Sequence, residues 1–442
     1  MNPAAQDLWF LPLGGCGEIG INMNLYGHDG RWLMVDCGIG FDRESAATRI
    51  FAADPAFIAA RRDDLVGLLV THAHEDHVGA IANLWPSLRC PVYCTQFTAE
   101  ILRRKLIEAG LAGRVPVHIV EPRSRMLLEP FDIEWFDLTH STPESQALMI
   151  RTAVGNVFHT GDWKLDPDPV VGADYDAGSL RALASEPVLA MVCDSTNALV
   201  EGRSASEGEL HAALLKQVLA APKRVIVACF GSNVARLTTL ARTALAAGRY
   251  PGLLGRSLDN YYRAARASGL WRVDVDFITP DHLGYLPADE VFAIATGSQG
   301  EPNAALSRLA AGDHRAVSLE PEDTVIFSSR VIPGNEESLA RLTNRLEARG
   351  VRVIQAEDGE GPMHASGHPA QEELKDMYRW IQPKIAIPVH GEPEHLEAHA
   401  ALAKAEGVPM QLKGRNGDLF LLAPQPGMRR GAAPTGRIEI QR

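Results

Sequence analysis

The sequence has no run of about 18 or more apolar residues, the length a membrane-spanning helix needs. Its opening residues, MNPAAQDLWFLPLGG, lack the basic segment ahead of an apolar one that marks a signal peptide. Cysteine is scarce: Cys16, Cys37, Cys90, Cys94, Cys193 and Cys229 are six in 442 residues, mostly inside apolar, strand-like runs. That excludes a disulfide scaffold and suits buried thiols in a reducing compartment, so the cytoplasm is the expected location. Cys90 and Cys94 in CPVYC would make half of a zinc clamp, but no second pair completes it. Positive charge is also in deficit, with 43 Lys+Arg against 55 Asp+Glu and a net charge of -12. A wholly basic nucleic-acid binder is therefore excluded, although a local basic face is not. Internal repeats and low-complexity segments are missing, which excludes solenoids and disordered polymers.

What is present is a globular enzyme composition, 46% hydrophobic, long enough for two or three domains at about 100–200 residues each. In the first 200 residues, short apolar runs alternate with Gly/Asp/His-rich corners. Residues 31–36 (RWLMVD), 66–71 (VGLLVT) and 188–194 (VLAMVCD) read as strands, 131–138 and 147–153 as a strand pair, and 96–109 as a helix. From about 201 the texture changes to three strand–turn–helix units, beginning KRVIVACFGSN, EVFAIATGSQG and DTVIFSSRVIPGN. Such units build parallel sheets whose ligands bind at the strand C-terminal ends. The predicted division is a first domain part at 1–200, an insert at 201–345, a returning part at 346–423 and a loose tail at 424–442.

The strongest chemical signal is Thr71-His72-Ala73-His74-Glu75-Asp76-His77, directly after an apolar strand. Three imidazoles and a carboxylate so close together cannot share one helix face, but on a loop they can converge on two metals. Imidazole nitrogen with carboxylate oxygen is the donor set zinc favours, and catalytic sites keep a position open for water. A His-rich surface loop is the bland alternative, yet the whole chain has only 15 histidines.

This HxHxDH stretch resembles the signature of the metallo-β-lactamase superfamily. His140 in LTHSTPES resembles its third motif, and Asp162 in HTGDWKLD its fourth, a carboxylate bridging two metals. Asp194 in CDSTNA, His368 in HASGHPAQEE and His390 in PVHGE resemble the additional motifs of the β-CASP nucleases. GGCGEIGINM, ATGSQGEP, SSRVIPGNE and PMHASGH are similar to stretches of the ribonuclease J family, and the resemblance covers most of residues 8–420. It implies an α/β architecture: a metallo-β-lactamase αββα sandwich with an inserted parallel-sheet α/β β-CASP domain. It implies two divalent ions, zinc first and manganese second, with His72, His74 and His140 on one, Asp76, His77 and His390 on the other, and Asp162 bridging.

By the same resemblance the activity is metal-dependent hydrolysis of RNA phosphodiester bonds by a dinuclear metal-activated water, cutting internally, from the 5′ end, or both. The substrate implied is single-stranded RNA, preferably 5′-monophosphorylated. Asp76 would orient the water, and His368, assisted by Asp194, would serve the leaving oxygen. Ser232, Asn233, Ser328, Arg330, His364 and Ser366 are the expected phosphate contacts, together with the turn from Gly297 to Gly300, because Gly/Ser/Asn-rich turns at strand ends cradle anions. Ala235 stands where this family typically has a His, which implies weaker contacts from that turn. Ribonuclease J chains usually carry a further C-terminal domain that aids dimerisation; this sequence ends soon after PVHGE, so a homodimer is an open expectation. The competing activity is hydrolysis of a small ester, thioester or lactam, which the same metal loop can perform but which needs neither the insert nor His368.

Charge by segment locates the expected RNA face. Residues 201–345 carry 16 basic and 16 acidic residues, whereas 221–272 holds nine basic residues and one acid. Tyr261, Tyr262 and Trp271 are interleaved there as candidates for base stacking, although some must simply pack the core.

Overall fold

The structure, a computed structural model, describes residues 1–41, 49–332 and 334–440. Pro333 of SSRVIPGNE and the last two residues of the tail lie outside them. Two large sheets, of eight and seven strands, form the first domain. RWLMVD supplies the strand Arg31–Val35, VGLLVT supplies Leu65–Leu69, and the expected pair forms between Phe131–Asp137 and Gln146–Thr152.

Period-two alternation decides the layering. Along Leu8–Gly14, Leu8 and Phe10 enter one core while Trp9, Leu11 and Leu13 enter another. The first core lies between the sheets, with Ile133, Leu148 and Ile150 of one meeting Leu33, Val35 and Phe420 of the other. The second core packs against the helices Ile81–Leu88 and Gln96–Glu108. On the far side, Met149, Phe158 and Met191 meet the helices Gln371–Ile381 and Pro393–Ala405. The order is helix, sheet, sheet, helix, the expected αββα sandwich.

The insert is a five-stranded, all-parallel sheet in the order Tyr250–Leu254, Val291–Ala295, Val225–Ala228, Thr324–Phe327, Arg352–Ile354. Its runs VIVA, VFAIA and TVIF are buried on both faces, as strands covered by helices on both sides must be. Because the strands are parallel, the turns after Ala228, Ala295 and Phe327 share one edge. The last strand of this sheet lies past residue 345.

The tail is not loose, contrary to expectation. Gly427–Arg429 pairs with Leu419–Ala423, Arg437–Glu439 pairs with Ile50–Ala53, and Ala433 is buried. Strand edges with unpaired backbone groups recruit such segments. Among the described residues no helix is long and apolar enough to cross a membrane.

Candidate metal centre

Parallel strands bring the distant ligands together. Gly155–His159, Val188–Asp194 and Ile385–Val389 run side by side, so Asp162, Asp194 and His390 emerge at one edge. In the facing sheet Arg31–Val35 and Leu65–Leu69 are also parallel, and their ends supply Asp36 and the 71–77 loop. His77 and Asp76 sit on the one-turn helix Glu75–Val78. That turn is pressed against Gly38, where an added Cβ would lie 1.6 Å from the Asp76 carbonyl oxygen. Gly38→Ala must therefore push Asp76 and His77 outward. A displacement near 1 Å costs about 10²-fold in rate, and steady-state kinetics together with metal titration would register it.

The donor atoms fall into the expected groups. One set is His72, His74 and His140; a second is Asp76, His77, Asp162 and His390; within each, ligand atoms lie within 4.8 Å of one another. A third set, His140, Asp162 and His368, also meets that distance. Asp162 is the hub: its Oδ2 lies 3.1 Å from His77 Nε2, 3.3 Å from His390 Nε2 and 3.9 Å from His72 Nε2.

Hydrogen bonds aim the rings. Asp36 Oδ2 accepts from His77 Nδ1 at 2.8 Å, and Asp36 is itself fixed by the Thr71 backbone N–H at 2.8 Å and the Thr71 hydroxyl. His140 Nδ1 donates to the Gly367 carbonyl at 2.5 Å, and His390 Nδ1 to Asn22 Oδ1 at 3.1 Å. Such partners fix the tautomer and leave Nε2 for the centre. Gly367 has no room for a side chain, since its Cβ would lie 2.7 Å from His140 Cε1.

These residues fit a pair of cations. Buried His72 Nε2 has no hydrogen-bond partner, an unpaid desolvation unless a ligand takes its lone pair. With Asp36 accepting from Nδ1, a neutral His77 turns its Nε2 lone pair toward both the Asn22 amide at 3.0 Å and the Asp162 carboxylate at 3.1 Å, and a proton or a cation relieves the second contact. Burial, reinforced by neighbouring histidines, holds His72 and His140 neutral well below the ordinary imidazole range, and burial takes His74 down to about 4. At His77 burial also opposes the charged form, but Asp162, Asp36 and Asp76 outweigh it and raise the ring well above its usual value. Burial likewise opposes a charged Asp162, yet His390 and His77 hold it well below the carboxylate range. Neutral His72, His74 and His140 beside an ionised Asp162 are the protonation states metal ligation requires, and at His77 a cation would take the place of the proton that its carboxylate neighbours favour.

Asp194 and His368 form a separate dyad. His368 Nδ1 is 2.7 Å from Asp194 Oδ2, and the Thr196 N–H occupies Asp194 Oδ1 at 2.9 Å. Burial disfavours charge on His368, but Asp194, then Asp162 and Asp76, outweigh it and lift the ring to about 9.

The expected phosphate contacts divide into two groups. Arg330 is exposed, while Ser232 and His364 are half-buried at the strand-end edge. Burial and the cations Arg236, Arg330 and Lys164 hold His364 neutral, so the position is electropositive without the ring's own charge. Asn233, Ser328 and Ser366 differ from expectation because their side chains are already committed. Asn233 caps the helix Val234–Ala246 and donates to Glu207; Ser328 bonds Met363 and Arg236; Ser366 accepts from Asn197. Ala235, buried in the first turn of that helix, presents nothing to a ligand. Gln299 clasps the 297–300 turn to the next loop, bonding the Arg330 carbonyl at 2.8 Å and the Ile332 N–H at 2.9 Å.

The stacking expectation is also corrected. Tyr261 is buried with its hydroxyl on the Ala73 carbonyl at 2.8 Å, and Tyr262 is buried against Trp271 and Phe277. Arg236 and Arg249 are buried as well, with Arg249 donating to backbone carbonyls. Arg256, Arg263 and Arg266 remain exposed. They line a cavity of about 930 Å³ beside the helix Arg256–Ala267, whereas the space among Asn22, Asp36, His77, Asp162 and His390 is only about 10 Å³. The candidate donor atoms converge at the small one. Asp36 and Asn22 were not singled out from sequence, and Tyr261 was expected in a different role; Asp36 had the same signal as Asp194, an Asp closing a buried strand. All six cysteines are buried free thiols, and burial pushes Cys90 and Cys94 up to about 12.

Comparison with known proteins agrees with the geometry. Residues 16–191 match the family model described as metallo-beta-lactamase superfamily, 222–346 that of ribonuclease J, beta-CASP domain, and 362–412 that of a Zn-dependent metallo-hydrolase RNA specificity domain. A ribonuclease J of Sinorhizobium meliloti is 45% identical over 98% of this chain and 77% of its own length. One of Mycolicibacterium smegmatis is 40% identical over 90% of this chain and 71% of its own. A crystal structure of an Enterococcus faecalis protein of unknown function covers 94% of this chain and 100% of its own at TM-score 0.65 and 14% identity, a likeness of fold alone.

Proposed function

The chain belongs to the ribonuclease J family of the metallo-β-lactamase superfamily, a metal-dependent ribonuclease, and from that premise we propose how its residues share the work. His72, His74 and His140 would hold one divalent ion, Asp76, His77 and His390 a second, and Asp162 both, with zinc the first choice and manganese the alternative. Ions so held supply a water of lowered pKa and offset the charge of the phosphate. Asp76, with its Oδ2 facing His77 Nε2 at 3.6 Å and His390 Nε2 at 3.7 Å, orients the attacking water. His368, its Nδ1 engaged by Asp194, presents Nε2–H to the leaving oxygen and gives up that proton as the P–O bond breaks. The observation that carries this reading is the convergence of three Nε2 atoms on Asp162 Oδ2, with that of His72 otherwise orphaned.

Arg330, His364 and Ser232 would receive the substrate phosphates, which supports action from a 5′-monophosphate end as well as internal cutting. Asn233, Ser328 and Ser366 serve that pocket only indirectly, through the loops they hold. The six buried thiols support a cytoplasmic location. Homodimerisation, which the resemblance leaves open, is tested by the mass of the purified protein in solution.

The test is to offer the protein, with Mn²⁺ or Zn²⁺, 5′-monophosphorylated RNA, 5′-triphosphorylated RNA and a chromogenic lactam. Cleavage of RNA, fastest with the monophosphate, is expected; lactam turnover with intact RNA would overturn the reading. RNA beyond the centre is expected to cross the arginine-lined face. Changing Arg256, Arg263 and Arg266 together to Gln should raise KM for long RNA and reduce its logarithmic salt dependence by about 2, at about 0.7 per phosphate contact.

A further inference from the structure

Arg236 was expected on an RNA-facing surface, but its side chain is 1% exposed. It forms a two-point ion pair with the equally buried Glu207, Nη2 to Oε1 at 2.9 Å and Nε to Oε2 at 3.1 Å. The rest of the guanidinium faces the proposed phosphate pocket. Nη1 donates to the Ser328 carbonyl at 2.5 Å and to its hydroxyl at 2.8 Å, and lies 3.4 Å from His364 Nδ1; Nη2 reaches the Ala365 carbonyl at 3.4 Å. A guanidinium only donates, so His364 Nδ1 beside it takes the acceptor form and its Nε2 keeps the hydrogen.

On its other side this pair continues to the metal ligands. The Glu207 N–H donates to Asp166 Oδ2 at 3.0 Å, the Ser206 hydroxyl to Asp166 Oδ1 at 2.5 Å, and Asp166 is paired with buried Lys164 at 2.7 Å. Lys164 and Asp166 also bond Thr139, the residue before His140, and they follow Asp162 by two and four positions. One buried chain of charges thus joins the segments carrying His140 and Asp162 to those carrying Ser328 and His364.

We propose that Arg236, anchored by Glu207, is a positioning residue that fixes His364 and the 328–330 loop at the distance from the metal centre where one substrate spans both. This rests on His364 and Arg330 being phosphate contacts. Burying two charges needs a reason beyond stability, because well-packed neutral groups of similar volume often replace such pairs without loss. What neutral groups cannot reproduce is a rigid fork of directed donors to three segments at once. The arrangement also accounts for Ser328 and Asn233 resembling phosphate contacts while being occupied: they complete the grip on the loops around Arg236.

The test uses the full chain with two variants, the double Glu207→Gln/Arg236→Met and the single Arg236→Lys. Tm and metal content report the fold and the centre, and bis(4-nitrophenyl) phosphate reports a diester that needs only the centre. KM and kcat are then measured on a short 5′-monophosphorylated RNA and on its 5′-hydroxyl twin. In the double variant, diester turnover and metal content stay within about twofold, while KM for RNA rises about tenfold or more and kcat falls, as a misplaced pocket requires. Arg236→Lys, with the charge but not the fork, lies between. Unchanged RNA kinetics in a folded double variant would overturn the proposal. If that variant does not fold, unchanged RNA kinetics in Arg236→Lys would do so. A wild type that treats the two RNAs alike overturns the terminal-phosphate reading instead, and a KM shift on both RNAs then still supports Arg236.

Discussion

Replacing Asp162 by alanine is expected to reduce RNA cleavage by at least about 10³-fold and to remove most of the bound metal, because its carboxylate belongs to the second donor set and lies 3.9 Å from His72 Nε2 of the first. The variant leaves Asp76, 3.6 Å from His77 Nε2 and 3.7 Å from His390 Nε2, as the anion beside these rings, so entering cations lose the carboxylate on which His77, His390 and His72 converge. Asp162→Asn is the sharper form, since it keeps shape and removes only charge. Both should lack the rise in Tm that metal gives the wild type, because a ligand that binds only the folded state stabilises in proportion to its occupancy. Atomic spectroscopy, melting with and without chelator, and initial rates on RNA are the measurements. Full metal content with normal rates in either variant would remove Asp162 from the centre.

Changing His368 to alanine is expected to cost about 10²–10⁴-fold on RNA while metal content stays near wild type. Its Nδ1 is spent on Asp194, so its contribution is a proton at Nε2 rather than a metal bond. The leaving group separates these roles. A 4-nitrophenolate departs without a proton, so the variant should hydrolyse bis(4-nitrophenyl) phosphate with little loss while failing on RNA. Loss of metal together with both activities would instead place His368 among the ligands, which its distance to His140 and Asp162 permits. Asp194→Asn should follow the alanine variant in kind and fall short of it in size, because the imidazole is still present but less well oriented.

The residues of the centre were legible because metal ligation demands particular side chains. HAHEDH announced itself by residue type and by its place after a strand, His140, Asp162 and His390 were legible through the motifs they resemble, and the structure brings them within reach of one another. The strands were legible for the same kind of reason: a fully buried parallel run such as VFAIA has no polar position to spare. The phosphate contacts were less so. Asn233 and Ser328 have the composition of an anion cradle, yet a Ser or Asn at a strand end serves equally well as a helix cap or an acceptor for a buried arginine. Charge counts misled for Arg236 and Arg249, since a sum over 52 residues does not record which arginines point inward. Tyr261 followed the same rule: its hydroxyl holds the backbone between His72 and His74.

By itself the sequence determined the chemistry of this protein: two kinds of ligand in sufficient number, an α/β sandwich to hold them, and a parallel-sheet insert to meet a polyanion. The ligand types and the parallel-sheet units follow from side-chain type and periodicity, which are local properties; the sandwich and the polyanion follow from the resemblance that the motifs carry. Only the tertiary structure decided which polar groups remain available. Asp36 and Asn22 became supports of the ligands, Arg236 became a buried anchor, and the tail became part of two sheets. Each outcome depends on partners set by the fold, from Glu207 at 29 residues from Arg236 to His390 at 368 from Asn22, and whether a donor is free or satisfied is a property of the folded surroundings rather than of the residue.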